Sequence, residues 1–360
     1  MIPQTKSRVL PIVFAAVLVA AACGGPKDGA PARTQGGATG AVEATAPARS
    51  ETGATGTGAT AGKALKIAVI PKGTTHEFWK SIHAGAVQAS REVGVEVLWK
   101  GPQKEDDRAQ QIQVVEDVIS RGVDGIVLAP LDDRALVSVV QDAGREKIPV
   151  VIMDSGLQGK DYLSFIATDN YRGGVLAARR MGELLQSKGS VFRIRYQAGS
   201  ASTTDRENGF LETLAKEFPA VKVLVQDQYA GATTETAYQL AENLLGRFPD
   251  VDGIFCPNES SSFGTLRALQ EARLAGKVKF VGFDSSPKLV QALRDGQLHG
   301  IVLQNPVKMG YLGVLEIVKA IRGEKIPERI DTGVTVATRE NMDMPEIKAL
   351  LSPDLSILEK

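Results

Sequence analysis

From residue 63 onward, short apolar runs alternate with stretches of helical periodicity, and this alternation constrains the fold more than any other feature of the chain. The runs fall at 65–70, 95–99, 125–129, 150–153, 163–167, 191–196, 221–225, 253–257, 278–283 and 300–303. Between most of them, apolar residues recur three and four positions apart, as at Ile112, Val115, Val118 and Ile119, or Leu240, Leu244 and Leu245. The runs are continuously apolar, which marks strands buried on both faces, as in a parallel sheet between helical layers. Strand and helix in regular order predict an α/β protein of doubly wound type. The roughly 300 residues beyond position 62 suffice for two domains, each with its own core.

An internal echo points the same way. Arg121-Gly122-Val123-Asp124-Gly125-Ile126-Val127-Leu128-Ala129-Pro130 is matched by Pro249-Asp250-Val251-Asp252-Gly253-Ile254-Phe255-Cys256-Pro257-Asn258. In both, a helix ends, an Asp-Gly pair follows, and an apolar strand runs into proline. Two similar units explain this, although a common helix-to-strand turn would produce the same pattern by coincidence.

The first 62 residues carry no such alternation. Lys6 and Arg8 precede an apolar run over 9–19 that leads into Ala20-Ala21-Ala22-Cys23. A short basic region, a core of this length and small residues before the cut predict an export signal over 1–22. Cysteine directly after small residues resembles the lipobox of bacterial lipoproteins, which implies lipidation of Cys23, with Ala20 where that motif usually carries leucine. An ordinary secretory signal cut nearby is the alternative. Residues 24–62 are almost entirely Ala, Gly, Thr, Pro and Ser, too poor in apolar surface to offset the entropy of ordering. They predict a disordered tether over 23–62, with a root-mean-square reach of roughly 35 Å.

Composition narrows the function classes. Lys and Arg total 42 against 42 Asp and Glu, so no basic excess speaks for nucleic acid. With Cys23 assigned to lipidation, Cys256 has no cysteine partner, and as part of an apolar run it reads as packing. His76, His83 and His299 lack cysteine or acidic partners at metal-ligand spacing, so neither a metal nor a cofactor is expected. His83 reads as a surface residue.

Ligands of open α/β sheets bind beyond the carboxyl ends of the strands. There the chain places Pro71-Lys72-Gly73-Thr74-Thr75-His76-Glu77-Phe78-Trp79, Asp154-Ser155, Asn258-Glu259, Asp284 and Gln304-Asn305. Amides and carboxylates at one topological level match the donor and acceptor pattern of sugar hydroxyls, and Phe78, Trp79 and Tyr229 offer flat apolar faces for a pyranose. Each has a plainer reading. Asp154, Asp284 and Asn258 also stand where a helix N-cap is expected, Phe78 and Trp79 also suit a core, and Arg206 also suits pairing with Asp205 and Glu207.

Taken in order, these segments resemble the ribose-binding protein family, the periplasmic sugar-binding proteins of ABC importers. The similarity runs from Lys66 to about Arg339. It includes Thr75-His76-Glu77-Phe78-Trp79, Val150-Val151-Ile152-Met153-Asp154, Ile166-Ala167-Thr168-Asp169-Asn170 and Asp205-Arg206-Glu207-Asn208-Gly209-Phe210. It continues in Pro257-Asn258-Glu259, Val281-Gly282-Phe283-Asp284 and Gln304-Asn305-Pro306. The resemblance implies the type I periplasmic binding protein fold: two doubly wound lobes joined by a three-strand hinge with crossings at 168–171, 304–306 and 328–332. The first lobe would hold 63–168 and 305–331, the second 169–304 and 332–360. It also implies ligand contacts from His76, Phe78, Trp79 and Asp154 on the first lobe, and from Arg206, Tyr229, Asn258, Asp284 and Gln304 on the second lobe or hinge. Two positions depart from the ribose pattern: His76 replaces an asparagine, and Ser155 replaces an arginine whose bidentate clamp a serine cannot reproduce.

The function implied is capture of a monosaccharide or polyol and its delivery to an ABC permease and ATPase by a monomeric, extracytoplasmic, lipid-anchored protein. A sensor subunit serving a chemoreceptor or sensor kinase is the alternative. An enzyme is disfavoured, since no Gly-x-Gly-x-x-Gly, Gly-x-Ser-x-Gly or Walker loop occurs at the strand ends. A lactose-repressor-type regulator would need a DNA-binding helix pair where the export signal and tether stand.

Overall fold

The computed structural model describes residues 64–359; the expected export signal, the tether and Cys23 lie outside them. The chain runs β1 (Lys66–Ile70), α1 (Glu77–Val93), β2 (Glu96–Trp99), α2 (Arg108–Ser120), β3 (Gly125–Leu128), α3 (Val137–Arg145), β4 (Val150–Met153) and β5 (Ser164–Ala167). It continues through α4 (Asn170–Leu184), β6 (Gly189–Arg193), α5 (Ala201–Glu217), β7 (Val221–Val225), α6 (Thr234–Arg247), β8 (Gly253–Phe255), α7 (Glu259–Glu271), β9 (Lys279–Phe283), α8 (Pro287–Arg294) and β10 (Gly300–Leu303). Last come α9 (Pro306–Ile321), β11 (Arg329–Asp331), β12 (Thr335–Ala337), α10 (Pro345–Leu351) and a 3-10 turn over Ser356–Glu359. Nine of the ten apolar runs contain one of β1 to β10 whole; the run over 191–196 overlaps β6, which begins two residues earlier and ends at Arg193.

Two six-stranded sheets result, ordered β2-β1-β3-β4-β5-β11 and β7-β6-β8-β9-β10-β12. All pairings are parallel except β10 with β12. The two orders match position for position, so the lobes are two copies of one plan. The echoed Asp-Gly segments occupy matching places. Asp124 Oδ2 accepts the backbone N–H of Lys66 at 2.7 Å, and Asp252 Oδ2 accepts that of Ser190 at 2.7 Å. Each carboxylate thus satisfies a donor at the start of the strand beside its own.

The crossings explain how two lobes share one chain. β5 leads to Asp169, whose Oδ1 caps α4 by accepting from Arg172 N, and β10 leads to Asn305, whose Oδ1 caps α9 by accepting from Lys308 N. The third crossing lies between β11 and β12, slightly beyond the expected 328–332. Those two strands have three residues each and are partly exposed at sheet edges, so they carry no apolar run. The expected division put 332–360 wholly in the second lobe; the terminal turn instead lies against α1 of the first, with Arg91 Nη2 donating to Ile357 O at 3.2 Å.

Glycine sets the position of the helices that carry the site. A Cβ on Gly310 of α9 would stand 2.0 Å from Ile82 O of α1, and one on Gly85 would stand 1.9 Å from Val307 O. In the second lobe Gly174 and Gly209 bring α4 and α5 together in the same reciprocal way, at 2.0 and 2.1 Å. Helix axes approach this closely only where no side chain intervenes. Gly174→Ala or Gly310→Ala should therefore lower stability by about 3 kcal/mol through overpacking against backbone. Gly144→Ala, with open space around the added methyl, should be neutral or slightly stabilising. Denaturant melting of the three variants checks both halves.

Candidate functional site

The carboxyl ends of both sheets face one narrow cavity between the lobes. Eight of the nine residues expected at the ligand line it: His76, Phe78, Trp79, Asp154, Arg206, Asn258, Asp284 and Gln304. Tyr229 does not, and its assignment is corrected. It is exposed, with the guanidinium of Arg195 over its ring at 4.4 Å, because its loop follows β7 at the sheet edge. The aromatic ring the second lobe gives to the cavity is Tyr196, after β6.

Asp154 and Asp284 follow the matching strands β4 and β9 and share one conformation. Both have positive φ, 60° and 67°, and both donate their N–H to the next strand, to Ile166 O at 3.0 Å and Val302 O at 2.9 Å. Left-handed backbone costs a non-glycine residue on the order of 1 kcal/mol, least for Asp and Asn. The strand ladder thus extends through the aspartate and then turns sharply, leaving the carboxylate at the cleft. Neither residue caps a helix. Asn258 does: its Oδ1 accepts from Ser261 N in a capping box at the start of α7, and the residue also lines the cavity.

Arg206 projects from α5 between the two aspartates. Its Nη2 is 4.0 Å from Asp154 Oδ1, and its Nη1 is 3.8 Å from Asp284 Oδ2. Nε donates to Asn170 Oδ1 at 2.8 Å and Nη1 to Pro257 O at 2.9 Å, while the guanidinium lies 3.9 Å above the Phe283 ring. It does not pair with its neighbours in sequence; Glu207 turns instead to Arg195 Nε at 2.7 Å. Gln304 donates from Nε2 to Asp284 Oδ1 at 2.7 Å, and its buried Oε1 has no partner among the described residues. Burial pushes the Asp284 carboxyl up to about 6, against the pull of Arg206 and Gln304.

Several lining residues escaped the sequence reading: Lys72, Glu105, Tyr196, Ser202, Thr203 and Glu259. Lys72 is the residue but one after β1 and so stood at a strand end in plain view. Glu105 lies in an irregular loop after β2, and nothing local marks it. Its Oε1 accepts from His76 Nδ1 at 2.6 Å and from Trp79 Nε1, its Oε2 from the Tyr196 hydroxyl, and its backbone O from Gln197 Nε2 at 2.8 Å. The first two partners belong to its own lobe and the last two to the other, so the loop bridges the cleft. Glu259 bridges in the opposite sense. Its carboxylate accepts the N–H groups of Glu77 and Phe78, at 3.3 and 3.1 Å, at the N-terminus of α1.

Other expectations resolve locally. Phe78 and Trp79 are buried in the first-lobe core and pack edge to face at 4.9 Å, so they are core and cavity wall at once. Cys256 is fully buried and burial pushes its thiol up to about 12, which keeps it protonated. His83, expected at the surface, is half-buried and stacks on Trp99 at 4.4 Å.

Burial alone would disfavour charge on both His76 and Glu105, yet each holds the other ionised. The histidine rises from 6.5 to about 9 and the glutamate falls from 4.5 to about 2. A depressed acid stabilises the fold above its unfolded value and loses that contribution as pH falls through its folded one. A raised base stabilises below its unfolded value and loses it as pH rises. The pair therefore contributes fully between about pH 4.5 and 6.5 and fades towards 2 and towards 9. Glu105→Gln should cost about 2 kcal/mol within that window and flatten the profile. Urea midpoints against pH test this, and a His76 still titrating near 9 in the variant, followed by NMR, would contradict the pairing.

This arrangement has close parallels. A family model described as a periplasmic binding protein domain matches residues 67–325. The ribose import binding protein RbsB of Haemophilus influenzae is 29% identical over 271 residues, covering 75% of this chain and 90% of that protein. A carbohydrate transporter solute-binding protein from Agrobacterium radiobacter, solved in complex with D-arabinose, superposes with a TM-score of 0.78 at 33% identity, over 80% of this chain and 99% of that one. An ABC transporter solute-binding protein from Agrobacterium vitis with bound D-fucose does so with a TM-score of 0.76 at 36% identity, over 80% and 100%. Two matched lobes, a cavity at facing strand ends and a family match over most of the chain lead to one statement: the chain belongs to the periplasmic binding protein domain family.

Proposed function

We propose that this protein captures a monosaccharide or related polyol between its lobes and delivers it to an ABC importer. The observation that carries this reading is the closed polar cleft, in which Asp154 and Asp284 flank Arg206 and the buried Oε1 of Gln304 has no donor among the described residues. Hydroxyls both donate and accept, so a polyol completes such a set where an apolar or purely anionic ligand would not. Every cation of the cleft already faces a carboxylate: Lys72 faces Asp154, His76 faces Glu105, and Arg206 faces both aspartates. This favours an uncharged ligand. Phe78, Trp79 and Tyr196 supply the apolar faces. His76, Asn258 and Glu105 hold the walls, and no step alters the ligand covalently.

Contacts with both lobes make the ligand favour the closed form, by the difference in its affinity for the two forms. The permease would recognise the closed pair of lobes. The protein would act as a monomer on the extracytoplasmic side, held to the membrane by lipidated Cys23. Radiolabelled palmitate should mark the wild type in the membrane fraction, and Cys23→Ser should abolish the label while leaving the melting temperature of the folded region unchanged. Label retained on the variant would remove the anchor from the proposal.

A thermal-shift screen against pentoses, hexoses and sugar alcohols identifies the ligand, since binding to the folded state raises its stability. Asp154→Asn and Asp284→Asn are the informative variants, because asparagine tolerates the left-handed backbone at both positions where alanine would add strain. Each should weaken binding roughly ten- to a hundred-fold, the effect of losing a charged acceptor in a buried contact. Calorimetry with the identified sugar gives the answer; unchanged affinity in both variants would end the proposal as placed here.

A further inference from the structure

Besides its three crossings, the chain joins the lobes through a segment rooted in one lobe and docked on the other. The root is α10, whose Ile347 and Leu351 are buried in the second-lobe core, and Ser285 Oγ donates to Leu350 O at 3.2 Å. Ser352 N closes the helix by donating to Lys348 O at 3.0 Å, and the chain then leaves that lobe. Pro353, Leu355, Ile357 and Leu358 are half-buried, whereas Ser352, Asp354, Ser356 and Glu359 are exposed, so the segment turns its apolar side to the protein. Asp354 Oδ1 accepts from Ser356 N at 2.9 Å, and Leu358 N donates to Leu355 O at 3.0 Å, which shapes the 3-10 turn. That turn lies on α1, held by Arg91 Nη2 on Ile357 O. Ser81, Ala84, Gln88 and Arg91 stand three and four residues apart and form one face of α1. Two grooves border the segment along this face, and each joins the lobes: Ser81 shares one with Val290 of α8, and Ala84 shares the other with Ala349 of α10. Pro353 lines both.

We propose that segment 352–359 is a strap that biases the ligand-free lobes towards the closed form, so that a contact outside the cleft tunes ligand affinity. None of its residues lines the cavity. Its root cannot follow α1, because Leu350 and Leu351 are packed in the second lobe. The four residues Ser352 to Leu355 span at most roughly 13 Å when fully extended, and the fixed φ of Pro353 removes part of their freedom. Opening has to draw the N-terminus of α1 away from Glu259, and α1 is the helix that the strap holds. As α1 leaves, Leu355, Ile357 and Leu358 lose their apolar cover, so these contacts stabilise the closed form alone. The bias on opening stands without any ligand, whereas its effect on affinity rests on the sugar-binding reading. Affinity falls in proportion to the fraction of protein in the binding-competent form, so loosening the strap weakens binding with every cleft contact intact.

The experiment pairs small-angle scattering of the ligand-free full chain with calorimetry using the tightest sugar of the screen. Leu355→Asp combined with Ile357→Asp places two charges under the strap and should undock it. The radius of gyration of this double variant should exceed that of the wild type without sugar, and saturating sugar should bring both to one value. Its dissociation constant should rise roughly three- to tenfold, and that of Arg91→Ala should rise by less. Scattering unchanged from the wild type would overturn the strap even if the melting temperature fell, since the segment would then be ordinary packing. Expansion with sugar affinity intact would overturn it as well. If no sugar binds the wild type, scattering alone decides: expansion in the variant keeps the strap and sinks only the sugar-binding reading. Should the double variant not fold, Arg91→Ala, an exposed position on α1, carries the same two measurements.

Discussion

Arg206 lying between Asp154 and Asp284 is the arrangement on which the closed molecule depends. Two carboxylates from opposite lobes are withdrawn from water together, and without a cation between them their repulsion and lost hydration would hold the lobes apart. The guanidinium itself is fixed by Asn170, Pro257 and the Phe283 ring, so it does not shift to meet either aspartate. Its geometry is in turn set by α5, which approaches α4 as closely as Gly174 and Gly209 allow. A constraint on backbone packing thus becomes a constraint on electrostatics at the cleft.

The same logic repeats through the site with other partners. Lys72 with Asp154, and His76 with Glu105, pair every further cation of the cavity with a carboxylate. Buried pairs of this kind contribute little net stability compared with apolar packing, but removal of either partner is costly. They therefore act as conditions on closure: the lobes approach fully only in the register that brings each charge to its partner. Glu105 and Glu259 extend this across the mouth, one reaching from the first lobe to Tyr196 and Gln197, the other from the second lobe to the start of α1.

Duplication accounts for the form of the cleft. The two sheets share one strand order, Asp124 and Asp252 tie matching strands, and Asp154 and Asp284 turn out of matching strand ends with matching backbone. Facing copies bring like residues together, which for two aspartates is unfavourable. The chain departs from symmetry at that place: Arg206 stands in one lobe only, and Lys72 in the other. These departures make the cleft polar and closable, and on the proposed reading they also make it selective.

The strand plan was legible because buried parallel strands must be continuously apolar, and that requirement leaves its mark in any one segment. Asp154, Asp284, Asn258 and Gln304 were legible for the same reason, since a polar residue ending an apolar run is conspicuous. β11 and β12 were not, being short, partly exposed edge strands without an apolar run, β11 paired with the distant β5 and β12 with β10. Neither was Glu105, whose role comes entirely from four groups of two lobes meeting around it in an irregular loop. Tyr196 passed as the end of a strand, and Tyr229 was read as a cleft residue although its strand lies at the sheet edge, a fact only strand order reveals. Which segments are buried and which polar groups end them can be read along the chain, because burial is a local demand on residue type. Which of those groups meet follows from the packing of the two lobes, because charge pairing across a cleft depends on distances that no spacing along the chain records.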